Sequence, residues 1–545
     1  MRKQGSLVRQ WLLTAAPTLI VAVPLVGLSL QGDERRRLYR SAHHYSGNPI
    51  KSARSALRNV DAYLDAGNFR PIGRFAEGLQ HGVVLEASEL TGMAPHTTLG
   101  VVRLTMVLAL SLICAQIVAA LARSAGLTRP KRILALYPLA LGTVLVANGH
   151  SGALAQFSFV FIGAVAVILA TALAVARDAD MEIRGLRWHE PVTMSLLGAA
   201  TAMTYDLVYA APAVALAYGA ARAGASRMPL RDSMRTAAAR RWAALAVGFL
   251  AVFIPVRIVI AQRCGQGSCY QGSELGLSSD VAELAASRSL TATPIEGWSH
   301  NASIIRDSGG SLGLPDLFTT SLPALLVLAI VAATAGAAVR MGAQPSTARG
   351  PLGNTPGDEE GTDGRRAWTR LAAALVALGT VTVVLAALVG SLSRWAQQTR
   401  PPTGQAWRET LLGQVGWSLV ILGVLAMLLG LIRSPAVAKA AGVGACALLG
   451  ACLTLTLLAN SRLAVADRHD QVSAITDQIA SETVNVDTTS GGNARRCELI
   501  DRYTELVPPH LWIAGPGLRA DLDDLMVGRY GWPFCDPARK SEAGQ

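Results

Sequence analysis

Apolar blocks about twenty residues long recur along nearly the whole chain, and they leave it few folds to choose from. A helix rises about 1.5 Å per residue, so roughly 20 apolar residues cross the ~30 Å hydrocarbon core of a bilayer. Inside hydrocarbon every backbone N–H and C=O must be satisfied within the chain, and blocks of this length do that as helices. They fall at 11–30, 100–122, 133–150, 153–176, 191–205, 207–221, 242–262, 320–340, 368–390, 412–432 and 437–460. The expectation is an all-α polytopic membrane protein with about eleven transmembrane helices. The two blocks within 191–221 are short and read as one tight hairpin or a pair of broken half-helices. Charge is scarce to match: 16% of the 545 residues are charged, against about 25% in soluble domains.

The first block, Trp11–Leu30, is longer than the apolar region of a signal peptide. It ends in "VGLSLQGDERRR" rather than a small-x-small cleavage site, so it is expected to remain as an N-terminal anchor helix, residues 1–30. Orientation follows from the basic residues. With the N-terminus inside, the loops 123–132, 177–190, 222–241, 340–370 and 433–439 are cytoplasmic, and all are rich in Arg or Lys. The alternate loops "NGHSGA" and "DLVY" carry none. This is the positive-inside pattern of an N-in, C-out protein. Arg35–Arg37 sit on the other side, but in a loop of about 70 residues, and long loops escape the rule. The net charge of +12 is therefore a topological signal, and no nucleic-acid partner is expected.

Cysteine supplies an independent check. Cys114, Cys446 and Cys452 fall inside apolar blocks, whereas Cys264, Cys269, Cys497 and Cys535 all lie in segments that the charge rule puts outside. Disulfides persist in oxidising compartments. Four cysteines allow three pairings, and the spacing "CGQGSC" favours Cys264–Cys269 with Cys497–Cys535 stapling the tail. Zinc is the weaker alternative, since no His stands near either pair at ligand spacing.

The resulting plan has a first external loop (31–99), transmembrane helices 2–7 (100–262), an external loop with the first Cys pair (263–319), and transmembrane helices 8–11 (320–460). A short external loop at 391–411 and a Gly/Pro/acid-rich cytoplasmic linker at 342–366, expected to be disordered, interrupt the last set. A small stapled external C-terminal subdomain follows (461–545). Its acids Asp521, Asp523 and Asp524 read as a solvated face in preference to a metal site. No nucleotide or metal motif is found, so no cofactor is assigned.

Within the first loop, "RNVDAYLDAGNFRPIGR" (58–74) is unusually polar for a stretch so near a membrane. Residues 55–67 suggest a short amphipathic helix with Leu57, Val60 and Leu64 on one face, stopped at Gly67. Asp61 and Asp65 are then i,i+4 neighbours on it. Residues 73–92 suggest a second helix lying in the interface plane. A carboxylate at that depth can act as general base on an acceptor hydroxyl, and Arg70 and Arg74 offer forks for a phosphate. A lipid-linked phosphosugar carries its phosphate at headgroup level. The plainer alternative is that Asp61 and Asp65 are surface carboxylates neutralised by Arg58, Arg70 and Arg74. Asp206, Arg257, His150, Tyr205 and Tyr209 stand near the outer ends of spans. Asp206 is either an intramembrane site or a solvated turn residue, and Arg257 meets the surface or a lipid phosphate. His150 reads as a loop residue, and the two tyrosines as part of an interfacial aromatic belt.

The layout resembles the GT-C superfamily of polyprenyl-phosphate-sugar-dependent membrane glycosyltransferases, and in particular its O-antigen glucosyltransferase-like branch. The stretches that carry the resemblance are "YLDAGNFRPIGR", "MTYDLVY" (203–209) and "NSRLAVADRHDQVSAITDQIASE" (460–482). It implies an inverting transferase acting at the outer face, between a lipid-linked sugar donor and an envelope glycan or lipid acceptor. It implies an acidic catalytic residue in the first loop: Asp61 first, with the adjacent pair Asp33–Glu34 second. It also implies phosphate or headgroup contacts at Arg70, Arg74 and Arg257. Where that family has adjacent acids early in the loop, this chain has Asp33–Glu34 directly at the membrane exit. Two rival functions are a secondary transporter and a non-catalytic envelope protein. A transporter calls for buried mid-span charges and repeat symmetry, and few such charges and no such symmetry are seen.

Overall fold

A computed structural model describes residues 15–45, 48–127, 131–157, 159–177, 187–264, 269–270, 272, 274–307, 325, 329, 359–432, 434–511 and 513–536. Among the described residues the chain is all-helical, with no strand beyond one isolated bridge between Leu275 and Ser393. Five helices among the described residues are long and apolar enough to cross a membrane: Pro95–Ser124, Ala237–Arg263, Arg365–Ser391, Thr410–Leu431 and Ala436–His469. Ala15–Gly27, Ile133–Val144 and Val160–Val175 are apolar but shorter. The expected block at 320–340 lies outside the described residues save Leu325 and Ala329, and so does the linker up to residue 358. From Glu359 onward that linker is helical, continuous with the span that ends at Ser391.

The helix ends follow local chemistry. Asn48 caps Pro49–Arg58 by accepting from the Ile50 and Lys51 N–H groups, and Ser434 caps Pro435–His469. Proline stands in the first turn of Pro49–Arg58, Pro71–Thr91, Pro95–Ser124 and Pro435–His469, where its missing N–H costs nothing. Helices His189–Ala202 and Ala237–Arg263 cross at two glycines. A Cβ on Gly198 would stand 2.0 Å from the Leu245 carbonyl oxygen, and one on Gly248 would stand 1.9 Å from that of Ser195. Small residues let helix backbones approach in this way. The short blocks at 191–221 form two helices, His189–Ala202 and Ala211–Ala225, joined by a 3-10 turn at Asp206–Ala210.

Two apolar cores result. The larger is built from the apolar helices. The smaller joins first-loop residues such as Leu38, Tyr39 and Leu85 to tail residues such as Ile500, Leu522 and Phe534. The tail thus shares its core with the first loop. Its staple is Cys497–Cys535, and Cys264–Cys269 is the second disulfide. Asp521 pairs with Arg36 at 2.5 Å, and Asp523 accepts from the Phe534 N–H and meets Arg519. Two of the three tail acids therefore brace the structure instead of forming a solvated face.

Segments assigned by charge to one side meet one another. Arg263 reaches Asp61 and Asp65, the Tyr270 N–H donates to the Ala66 oxygen at 2.9 Å, and Arg408 pairs with Asp206. Residues from the opposite set also meet: Arg222 donates to Ser124 and to the Ala176 oxygen, and Arg241 pairs with Glu190. Arg35, Arg36 and Arg37 are occupied by the Leu30 oxygen, Asp521 and Glu77, which gives these cations structural work apart from orientation.

Candidate functional site

The helix Glu34–Tyr45 starts as soon as the first apolar segment ends, and this separates the adjacent acids. Successive residues at a helix start point about 100° apart. Asp33 faces a cavity, with its side chain 46% exposed and 4.0 Å from Arg37. Glu34 turns into the protein and is buried. Burial pushes its carboxyl up to about 7, opposed by the nearby Arg103 and by the Phe157 backbone.

The cavity has two chambers. The inner one, about 360 Å³, has an apolar wall that includes Ile72, Val160, Phe161 and Val167. Asp33, Arg37, Arg70 and Arg408 line it as well. Arg70 is only 8% exposed. Its guanidinium lies 5.1 Å from the Tyr205 ring centroid, and its Nε has no hydrogen-bond partner among the described residues. Arg408 lies 6.0 Å from the same ring and is held by Asp206 at 3.1 Å and by the Gly272 oxygen. Tyr205 is thus a buried spacer between two cations, not a member of an exposed belt. The Ile72 N–H donates to the Met203 oxygen at 3.1 Å, pinning the start of helix Pro71–Thr91 to the Tyr205 turn.

Glu77 organises the rim. It accepts from Arg37 at 3.1 Å and from Arg74 at 3.0 Å. Burial works against its charge, but Arg37 and then Arg74 outweigh it and hold the carboxyl well below the usual range. Arg74 also lies 5.0 Å from the Tyr63 ring. Burial, with neighbouring Arg70, lowers Arg74 to about 10.

Other candidates lie elsewhere. The expected helix at 55–67 is broken at Asn59, whose amide donates back to the Ser55 oxygen at 2.9 Å. Leu57 is exposed as a result. Asp61 and Asp65 have side chains 78% and 64% exposed, and each is 2.7 Å from Arg263. Neither lines a chamber. They match the surface-carboxylate alternative, with Arg263 as the cation in place of Arg58, Arg70 and Arg74. Arg257 lies over Tyr209 and Phe253 at 5.9 and 5.8 Å and lines neither chamber. His150 stands 3.7 Å from Asp467. Sequence reasoning passed over Arg408, Glu77 and Tyr270. The i,i+3 spacing of Arg74 and Glu77 was a usable signal for one of them.

Tyr270 lines both chambers, held there by the preceding disulfide. Gly67, at φ +73°, lets Cys269 pack on the first-loop turn, and a Cβ there would stand 2.8 Å from the Cys269 Cβ. Gly67→Ala is expected to cost about 1–2 kcal/mol in backbone strain alone and to detach Tyr270 from Ala66. Faster reduction of Cys264–Cys269 by dithiothreitol checks this; an unchanged rate counts against it.

Glu34 yields a pH test. Its carboxyl is raised from 4.5 to about 7, so its contribution to stability is full below 4.5 and is lost as pH rises through 7. Glu34→Gln should gain on wild type by roughly 3 kcal/mol between pH 4.5 and 8. Unfolding midpoints in detergent across that window check it, and parallel profiles would refute it.

Among the described residues no cluster of His, Cys, Asp or Glu is arranged to hold a metal ion. No protein-family model matches the sequence, and no curated protein matches it.

Proposed function

We propose that this chain is a membrane glycosyltransferase that moves a sugar from a polyprenyl-phosphate donor to a cell-envelope acceptor at the outer face of the membrane. The observation that carries the proposal is Arg70: a buried guanidinium with no ion pair among the described residues, lining a cavity whose other lining residues include Ile72, Val160, Phe161 and Val167. A buried cation is strongly disfavoured unless an anion meets it. A lipid phosphate supplies both the anion and the tail for the apolar wall.

In this reading Asp33 is the catalytic base. It takes the proton from an acceptor hydroxyl as that oxygen bonds to the anomeric carbon. The bond from that carbon to the phosphate oxygen breaks, and the anomeric configuration inverts. Arg70 and Arg408 neutralise the departing phosphate, as preorganised donors do where charge develops. Asp206 is a positioning residue that holds Arg408 in place. The outer-face assignment is supported by the basic loops of the opposite end and by two disulfides in segments on the cavity side.

The test is reconstitution of the purified chain in nanodiscs with radiolabelled polyprenyl-phosphate sugars and an envelope extract as acceptor. Label should leave the donor and appear in the acceptor fraction. A folded protein that transfers none of a broad donor panel would refute the reading.

A further inference from the structure

The outer chamber, about 670 Å³, is larger than the inner one and differs from it in chemistry. Helices Glu34–Tyr45, Pro49–Arg58 and Pro71–Thr91 contribute to its walls. It shares Asp33, Arg37, Arg70, Glu77 and Tyr270 with the inner chamber, so Asp33 borders both spaces. Five arginines line it against two carboxylates. Glu77 is engaged by Arg37 and Arg74, and Arg36 is engaged by Asp521. Arg40 lines it, is exposed and makes no ion pair among the described residues.

Asn68 supplies a second, independent observation. It lines this chamber and is 5% exposed, and its Oδ1 accepts no hydrogen bond among the described residues. A buried amide oxygen left without a donor costs about 1–3 kcal/mol. A ligand hydroxyl relieves that cost, and the hydroxyls of Ser41 and Ser55 on the same walls extend the polar surface.

We infer that the outer chamber binds the acceptor, and that the acceptor is a polyhydroxylated anion: a saccharide carrying a phosphate or a comparable acid. Its hydroxyls donate to Asn68 Oδ1 and bond the serines, its acid meets Arg40, and one hydroxyl reaches Asp33. The word acceptor rests on the proposed transfer reaction. The binding chemistry does not, and the test separates the two.

The experiment measures binding with no donor present, using the full chain in nanodiscs of neutral lipid. The probes are maltose, maltose carrying a phosphate monoester, and farnesyl phosphate as a lipid-borne source of the same anion. Wild type should prefer the phosphorylated disaccharide to maltose by about tenfold at low salt, as a charge-assisted contact warrants. Arg40→Gln should remove most of that preference. Asn68→Ala should weaken both sugars while leaving their ratio near wild type. Farnesyl phosphate should bind through the inner chamber and be indifferent to Arg40→Gln. Equal binding of the two disaccharides overturns the inference, and so does failure of the phosphorylated one to bind. Equal losses for farnesyl phosphate and the phosphorylated sugar in Arg40→Gln would hand Arg40 to the lipid phosphate and overturn it as well. None of these readouts needs transfer to occur, so failure of the catalytic reading would register only in the label assay.

Discussion

Asp33→Asn should lower label transfer by about a hundredfold or more, the usual range for removing a positioned general base. Asn has nearly the shape of Asp, and the side chain is about half exposed within the cavity, so folding should survive the change. Transfer by Asp61→Asn should stay within about twofold of wild type. Asp61 lies at the surface, where Arg263 is shared with Asp65, and exposed pairs contribute little. The two variants remove the same charge from the same loop and differ only in what the carboxylate faces. Equal losses in both would point to a general electrostatic effect of the loop and would remove Asp33 from the base role. A loss confined to Asp61→Asn would return that role to the surface helix.

The pair also marks where sequence reasoning succeeded and where it ran out. Helix type was legible because apolar blocks in hydrocarbon must satisfy their own backbone: nearly every block that falls within the described residues is helical, although five of the described helices are long enough to cross a membrane and Ala15–Gly27, Ile133–Val144 and Val160–Val175 are shorter. The two disulfides pair as the cysteine spacing suggested. Arg70 was singled out because a guanidinium fork suits a phosphate, and what the fold adds is its burial at the cavity. The choice among carboxylates was not legible. Asp61 and Asp33 both sit near arginines in sequence, but only the start of helix Glu34–Tyr45 and the break at Asn59 decide which acid faces a cavity. Arg408 was hidden for another reason. Its partners Asp206 and Tyr205 lie some two hundred residues away, and such contacts leave no local pattern.

That long-range pair gives the second large effect. Asp206→Ala should destabilise the protein by about 3–5 kcal/mol, because it strips a buried cation of its counter-ion. Both partners are buried, at 3.1 Å, so solvent screens the loss poorly. Tyr209 also interacts with Asp206, and its hydroxyl would lose that carboxylate too. Stability alone does not separate a structural ion pair from one that serves catalysis, so the informative comparison is with the double variant Asp206→Leu, Arg408→Met. Replacing a whole buried ion pair by apolar residues of similar volume is often neutral or stabilising. The double variant should therefore regain most of the lost stability, read as the unfolding midpoint in detergent. Under the proposed mechanism label transfer should not return, because the cation assigned to the leaving phosphate is gone. Transfer restored together with stability would mean that Arg408 only braces the Tyr205 turn, leaving Arg70 to meet the phosphate alone.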